Sequence, residues 1–271
     1  MNDLRRDIMP AFYAHHRFGG KVARKMDGEL KQIIREHYTQ YAIGLQGPDI
    51  LFYYRPYTVN KVIRIGTGMH AASAYPFFTK ALDTVKKYGR HSPEYAYLLG
   101  FICHFILDSE CHPFVGEWIV KSGVQHLEIE EEFEKKLLRL DQEHPLAFAT
   151  ARLIPTDDTT AMAICPFYDG LTPQIIKRAL LDMRIVKGLF TAPGPIKNRL
   201  INAAMHLSGR HATWKGLMNQ PNDNPKCVKS NEELLRLFYH SIQPAVDMIR
   251  SFDDSLQNGT ELNKRFDRNF E

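Results

Sequence analysis

The chain has 271 residues, 44% of them hydrophobic and 24% charged, close to the usage of ordinary globular domains and enough to bury a sizeable core. Thirty-five basic residues against 31 acidic ones give a formal charge of +4, too slight over this length to mark a nucleic-acid binder. Four cysteines, Cys103, Cys111, Cys165 and Cys227, show no C-x-x-C spacing, so they read as buried free thiols and not as a disulfide scaffold.

The opening MNDLRRDIMPAFYAHHRFGG carries no apolar signal core, and no run of about 18 apolar residues offers a membrane span. A cytoplasmic location is the expectation. Residues 10–26 carry Phe12, Tyr13, Phe18, Val22 and Met26 at helical spacing, begun by Pro10. Gly19-Gly20 is expected to loosen the middle of that helix. A second helix is expected over 29–43, with Ile33, Ile34, Tyr38 and Tyr41 as its apolar face. Gly44 to Pro56 reads GLQGPDILFYYRP, a turn that presents Asp49. The bland reading of Asp49 is a helix N-cap. Gly66 and Gly68 mark a loop, and His70 is expected to open the next helix.

The central helix is expected to begin near Glu94 and run through Asp108. Pro113 disfavours helical geometry at His112, so the chain is expected to turn there. A charged helix should follow from His126 to about Leu140. Downstream, helices are expected over 172–189, 196–207 and 231–255, the last kinked at Pro244. QPNDNPKCVKS, 220–230, reads as a loop, and the polar residues 257–271 as a tail, in part disordered. Val and Ile do not alternate in strand-like runs, so the fold class is all-α. We expect one multi-helix domain over 1–256 and the polar tail over 257–271.

The chemistry concentrates in LLGFICHFILDSECHPF and the following QHLEIEEEF. His104 and Asp108 stand four residues apart, as do Asp108 and His112, and His126 and Glu130. Each such pair projects from one helix face. A lone His-x-x-x-Asp pair is more often structural, but this density of imidazoles and carboxylates on adjoining helices can supply most of a zinc site. Tyr97, Leu98, Leu99, Phe101, Ile102 and Phe105 surround His104 with apolar residues. An ionised Asp108 there costs several kcal/mol unless a cation or hydrogen bonds compensate it.

His15, GPD at 47–49, Met69-His70, His104-x-x-x-Asp108, His112 and His126-x-x-x-Glu130 together resemble the zinc-dependent phospholipase C family, with the S1/P1 nucleases as more distant relatives. The similarity spans residues 15–130. It implies an all-helical fold and two or three zinc ions in a cleft. It further implies that His70, His104 and Asp108 hold one ion and that His112, His126 and Glu130 hold another. His15, with Asp108 as a bridging carboxylate, would serve a third, and Asp49 would orient or deprotonate the attacking water. His16 is the alternative to His15, and the resemblance favours His15. Secreted members use an N-terminal Trp as a ligand; here 14 residues precede His15 and none is Trp. Tyr53 and Tyr54 are candidates for an aromatic surface facing a cationic head group, or for core.

The function expected is zinc-dependent hydrolysis of a phosphodiester, phospholipase C-like, with a phospholipid substrate and peripheral contact with a membrane. The rivals are a single-strand nuclease, which needs stacking aromatics and a basic groove, and a non-catalytic helical protein with a closed structural zinc. No H-E-x-x-H and no His-Asp dipeptide occurs, which disfavours a zinc protease and the HD-type phosphohydrolases.

Overall fold

A computed structural model describes residues 11–271; Pro10, the expected start of the first helix, lies outside the described residues. The chain is all-α, with thirteen α-helices, short 3-10 turns and no strand among the described residues. In order these are α1 (Phe12–Lys25), α2 (Gly28–Glu36), α3 (Tyr38–Gly44), α4 (Lys61–Ala71), α5 (Tyr75–Tyr88), α6 (Pro93–Ser122), α7 (His126–Leu140), α8 (Asp158–Ile164), α9 (Pro173–Phe190), α10 (Pro195–Leu207), α11 (His211–Trp214), α12 (Val228–His240) and α13 (Ile242–Asn258).

The long helix α6 is the axis of the molecule. Ser92 caps it, accepting from the Tyr95 N–H, and Pro93 occupies the first turn, where no backbone donor is needed. From Glu94 to Ser109 every residue is buried, so this half of the helix is covered all round. Helices α1, α3, α8, α12 and α13 supply the cover. The closest crossing is between α3 and α6. A Cβ on Gly44 would overlap the Tyr97 carbonyl, and one on Gly100 would overlap the Tyr41 carbonyl. Two glycines therefore let the backbones touch, and this sets the depth at which the turn after α3 enters the core.

Several expected boundaries move. Helix α1 runs unbroken through Gly19-Gly20. The helix expected over 29–43 is two helices, broken at His37, whose φ of −119° and ψ of 41° are not helical. The expected loop at Gly66–Gly68 lies inside α4, and His70 closes that helix instead of opening the next. Asn60 is the cap that starts α4, accepting from the Ile63 N–H. Pro113 does not end α6, which continues to Ser122. Proline removes one ladder hydrogen bond, and the packing of the helix on both sides of it outweighs that loss. The expected kinked helix 231–255 is a pair, α12 and α13, separated at Ser241. Pro244 falls in the first turn of α13, where its missing donor costs nothing.

The C-terminal segment corrects the expectation most. Residues 257–271 are rich in polar residues, yet Leu262, Phe266 and Phe270 are buried in the main core. Phe266 packs on Phe78 at 4.2 Å between ring centroids. Glu110 on α6 pairs with Arg265 and Arg268, and the Ala74 N–H donates to the Arg268 carbonyl at 2.9 Å. The segment is a strap across α4, α5 and α6, not a loose tail.

Candidate metal centre

Four parts of the chain converge beside the middle of α6. The first turn of α1 brings His15, and the 3-10 turn Gly47–Tyr53 brings Asp49. The end of α4 brings His70, and α6 itself presents His104, Asp108 and His112. The first turn of α7 adds His126 and Glu130. His15, Asp49, His70, His104, Asp108 and Glu130 are buried, and His112 and His126 partly so. All eight residues singled out from the sequence thus line one region.

They fall into three groups of donor atoms: Asp49, His70 and His104; His15, His104 and Asp108; and His112, His126 and Glu130. Within them, His70 Nε2 lies 3.0 Å from Asp49 Oδ1, His104 Nε2 3.1 Å from Asp108 Oδ2, and His15 Nε2 3.2 Å from Asp108 Oδ1. His126 Nε2 is 3.0 Å from Glu130 Oε1, and His112 Nε2 is 3.6 Å from the same oxygen. Two ligands about 2.0–2.1 Å from a tetrahedral zinc stand about 3.3 Å apart, so these separations suit a shared ion. The directions suit it as well. Asp49 Oδ1, His70 Nε2, His104 Nε2, Asp108 Oδ2 and Glu130 Oε2 are buried without a hydrogen-bond partner of acceptable geometry among the described residues. Buried polar atoms left so would each cost roughly 1–3 kcal/mol, and a cation removes that cost. The donor set, imidazole and carboxylate, is that of zinc.

His104 belongs to two groups, but its Nε2 has one lone pair and serves one ion. Asp108 has two oxygens, one facing His104 and the other His15, so it can bridge. Two three-donor sets follow: Asp49, His70 and His104, with Asp108 beside His104; and His112, His126 and Glu130. His15 and Asp108 make a third, shorter set. Compared with the grouping expected from the sequence, Asp49 stands inside the ligand cluster. It is neither beside the cluster nor a helix cap: Gln46 holds the cap position.

The backbone fixes the imidazoles. His70 Nδ1 faces the Gly66 carbonyl at 2.9 Å, His104 Nδ1 the Leu45 carbonyl at 3.2 Å, and His112 Nδ1 the Phe270 carbonyl at 2.6 Å. An Nδ1–H donating to a carbonyl leaves the Nε2 lone pair for the site. Gly47 makes the approach of His104 possible. Its φ is +48°, and a Cβ there would overlap the His104 ring. The Tyr168 hydroxyl donates to the Gly47 carbonyl at 3.2 Å, and Tyr168 in turn shares a hydrogen bond with the Tyr97 hydroxyl at 2.7 Å.

Electrostatics bind the groups together. Burial works against an ionised Asp108, but His104, His112 and His15 outweigh it and hold its carboxyl well below the usual range. Burial likewise opposes ionisation of Glu130, and His126 and His112 bring it down to about 2. His112 rises to about 10: burial pulls it down, and Asp108 and Glu130 more than compensate. Burial lowers His15 too, and Asp108 overrides it to give a net rise. The separation of His112 from His104 is set by the helix itself. Eight residues along α6 are about 12 Å, so the two rings fall in different donor groups without a turn between them.

His16, the alternative to His15, joins no donor group. Tyr53 is core, not an aromatic surface: it is buried. Tyr54 is half-buried under the Arg55 guanidinium, 5.4 Å from its ring. Two residues that sequence reasoning passed over lie next to the cluster. Glu134, one turn beyond Glu130, accepts from the Tyr13 and Ala14 N–H groups and so ties the start of α1 to α7. Burial, partly offset by Lys187, raises its carboxyl to about 7. Lys187 on α9 is buried in the field of Glu134, Asp49 and Glu130. The four-residue step from Glu130 to Glu134 was a visible signal; nothing local marked Lys187.

An all-helical domain that gathers imidazoles and carboxylates around its central helix defines the class of protein: a helical domain with clustered donors that could hold metal. The model of the zinc-dependent phospholipase C family matches residues 14–177, a stretch that contains every donor described above. The chain belongs to the zinc-dependent phospholipase C family. Neither a search of curated proteins nor one of solved structures returns a match.

Proposed function

We propose that this chain is a zinc-dependent phosphodiester hydrolase that acts on phospholipids and cleaves on the glycerol side of the phosphate. The observation that carries the reading is Asp108, whose two oxygens face two different imidazoles at 3.1 and 3.2 Å. A bridging carboxylate between neighbouring ions is what in-line displacement at phosphorus uses. A structural zinc closed by four protein ligands has no use for it.

Zinc, when bound, brings a water's pKa to about 7 and neutralises charge on the phosphoryl oxygens. The chain's own residues supply the rest. His70, His104 and Asp108 would hold one ion. Asp49, buried and aimed into the cluster, is placed to take the proton of a water that attacks phosphorus. The bond from phosphorus to the glycerol oxygen breaks; that oxygen takes up the proton Asp49 received and leaves as diacylglycerol, and the water oxygen stays on phosphorus as the head-group phosphate monoester. His112, His126 and Glu130 fix a second positive centre a short way along α6. Lys187, whose pKa burial lowers against the field of Glu134, Asp49 and Glu130, stands buried nearby.

The test is side-by-side turnover of a phospholipid, a soluble phosphodiester and single-stranded DNA by zinc-loaded protein. Turnover of the first two and not the third supports the reading. Cleavage of DNA alone would favour the nuclease rival, and no turnover with full metal content would favour a non-catalytic protein.

A further inference from the structure

The second half of the chain builds a surface that the metal centre does not use. From Met183 to Asn222 there is no Asp or Glu, while Arg184, Lys187, Lys197, Arg199, Arg210 and Lys215 are all basic. Lys187 is buried and Lys215 pairs with Glu128 at 2.6 Å. The other four are exposed, and among the described residues none has a carboxylate at ion-pair distance. Between them stand large apolar side chains. Helix α9 exposes Leu181, Ile185 and Leu189, and α10 exposes Ile196 at 75%, Leu200 at 66% and Leu207 at 90%.

The arrangement on α10 is specific. At 100° per residue, Ile196, Leu200 and Leu207 fall within roughly 40° of arc, with Arg199 on one flank and Lys197 on the other. An apolar stripe with long basic side chains on both sides is the pattern of a helix lying in a lipid interface, where the stripe enters the acyl boundary and the charges reach the head groups. Trp214 on the adjoining α11 lies beneath the Arg210 guanidinium, 4.8 Å from its ring, a pairing also suited to that boundary. Only Asn198 and Met205 of α10 are buried. A nucleic acid would use the charges and leave the stripe in water. A protein interface would deplete charge at its centre.

The surface also borders a cleft. The end of α9 and the segment after α11 form the walls of a cleft lined by Glu134, Phe148, Lys187, Phe190, Leu217 and Met218. Glu134 lies in the field of Glu130, and Lys187 in that of Asp49 and Glu130.

We propose that the outer faces of α9 and α10 dock on an anionic lipid bilayer and present its head groups to this cleft. The choice of a bilayer over other partners deepens the phospholipid reading above and rests on it. The experiment is sedimentation of zinc-loaded full-length protein with vesicles of phosphatidylcholine alone and of phosphatidylcholine mixed with phosphatidylserine. Wild type should bind the mixed vesicles, and less so as salt rises. Ile196→Asp with Leu200→Asp should lower that binding by about tenfold or more. Lys197→Glu with Arg199→Glu should lower it on mixed vesicles by about fivefold or more per charge and leave weak binding to phosphatidylcholine unchanged. Hydrolysis of a soluble phosphodiester should be the same in all three proteins, since these exposed positions touch no donor. Vesicle binding by a protein that turns over no soluble phosphodiester would keep the docking surface and sink the catalytic reading. Absence of wild-type binding to mixed vesicles would overturn the proposal. So would binding to single-stranded DNA that matches vesicle binding and survives the double Asp substitution.

Discussion

The Phe270 carbonyl accepts the Nδ1 proton of His112 at 2.6 Å. The Phe270 N–H in turn donates to the His70 carbonyl at 3.3 Å, and its ring packs 5.1 Å from His70 and 5.8 Å from His104. One residue from the far end of the chain thus orients ligands of two separate donor sets. Partners of this kind fix the tautomer and ring angle of a metal-bound histidine, and losing one costs about 10–100-fold in metal affinity. A variant ending at Asn269 should lose affinity at the His112 set by about that factor. Phe270→Leu, which keeps the carbonyl, should restore most of it. Competition with a chelator of known strength checks this; equal affinity in the shortened variant would remove Phe270 from the account.

Metal entry should release protons. In the metal-free chain His112 is held at about 10 by Asp108 and Glu130 against the opposing effect of burial, and His15 is raised as well. At neutral pH the His112 imidazole carries a proton that zinc must displace, and any proton held by His15 must leave as well. Affinity should fall by about tenfold per pH unit for each proton displaced as the solution is acidified. Calorimetry in two buffers of different ionisation enthalpy should show one to two protons leaving; heats independent of buffer would contradict it.

Stability of the metal-free chain carries the same signs. His112 has its folded pKa above the unfolded value of 6.5, so its contribution is complete below pH 6.5 and disappears as pH rises toward about 10. Glu130 is brought down from 4.5 to about 2, so its contribution is complete above pH 4.5 and disappears as pH falls toward about 2. These two groups together predict greatest metal-free stability between about pH 5 and 6.5. Urea midpoints measured across pH on chelator-treated protein test this, and a midpoint that climbs steadily to pH 9 would refute it.

Gly47→Ala should be severe for a backbone reason. The position has φ of +48°, and the added methyl meets the His104 ring. Strain and overlap together should cost about 3 kcal/mol or more. Gly68→Ala, in an open stretch of α4 where a Cβ meets nothing within 4 Å, is the control and should be neutral or slightly stabilising. Denaturant curves of the two variants decide it. Equal stability would mean that the turn carrying Asp49 does not depend on this glycine.

Much of the site was legible because helical spacing is a local property. His104, Asp108 and His112 repeat every four residues on α6, and His126 and Glu130 do so on α7, so the sequence alone puts them on shared faces. Asp49 and His70 were legible as residue types and not as geometry. Their places depend on the Gly44–Gly100 crossing and on Asn60 capping α4, which are contacts between distant segments. Pro113 misled because a local rule about proline was set against a helix whose first half is buried on all sides and which packs again beyond the proline through Val115, and packing won. The strap misled for the opposite reason. Three apolar residues, Leu262, Phe266 and Phe270, four apart among polar neighbours, looked like a tail, because the surface they cover is contributed by α4, α5 and α6.

Anomalous scattering at the zinc edge tests the central claim most directly. The account predicts a peak beside Asp49, His70 and His104, a neighbouring one beside His15 and Asp108, and another beside His112, His126 and Glu130. Crystals of protein purified without chelator that showed no peak at any of these places, or peaks only elsewhere, would contradict it.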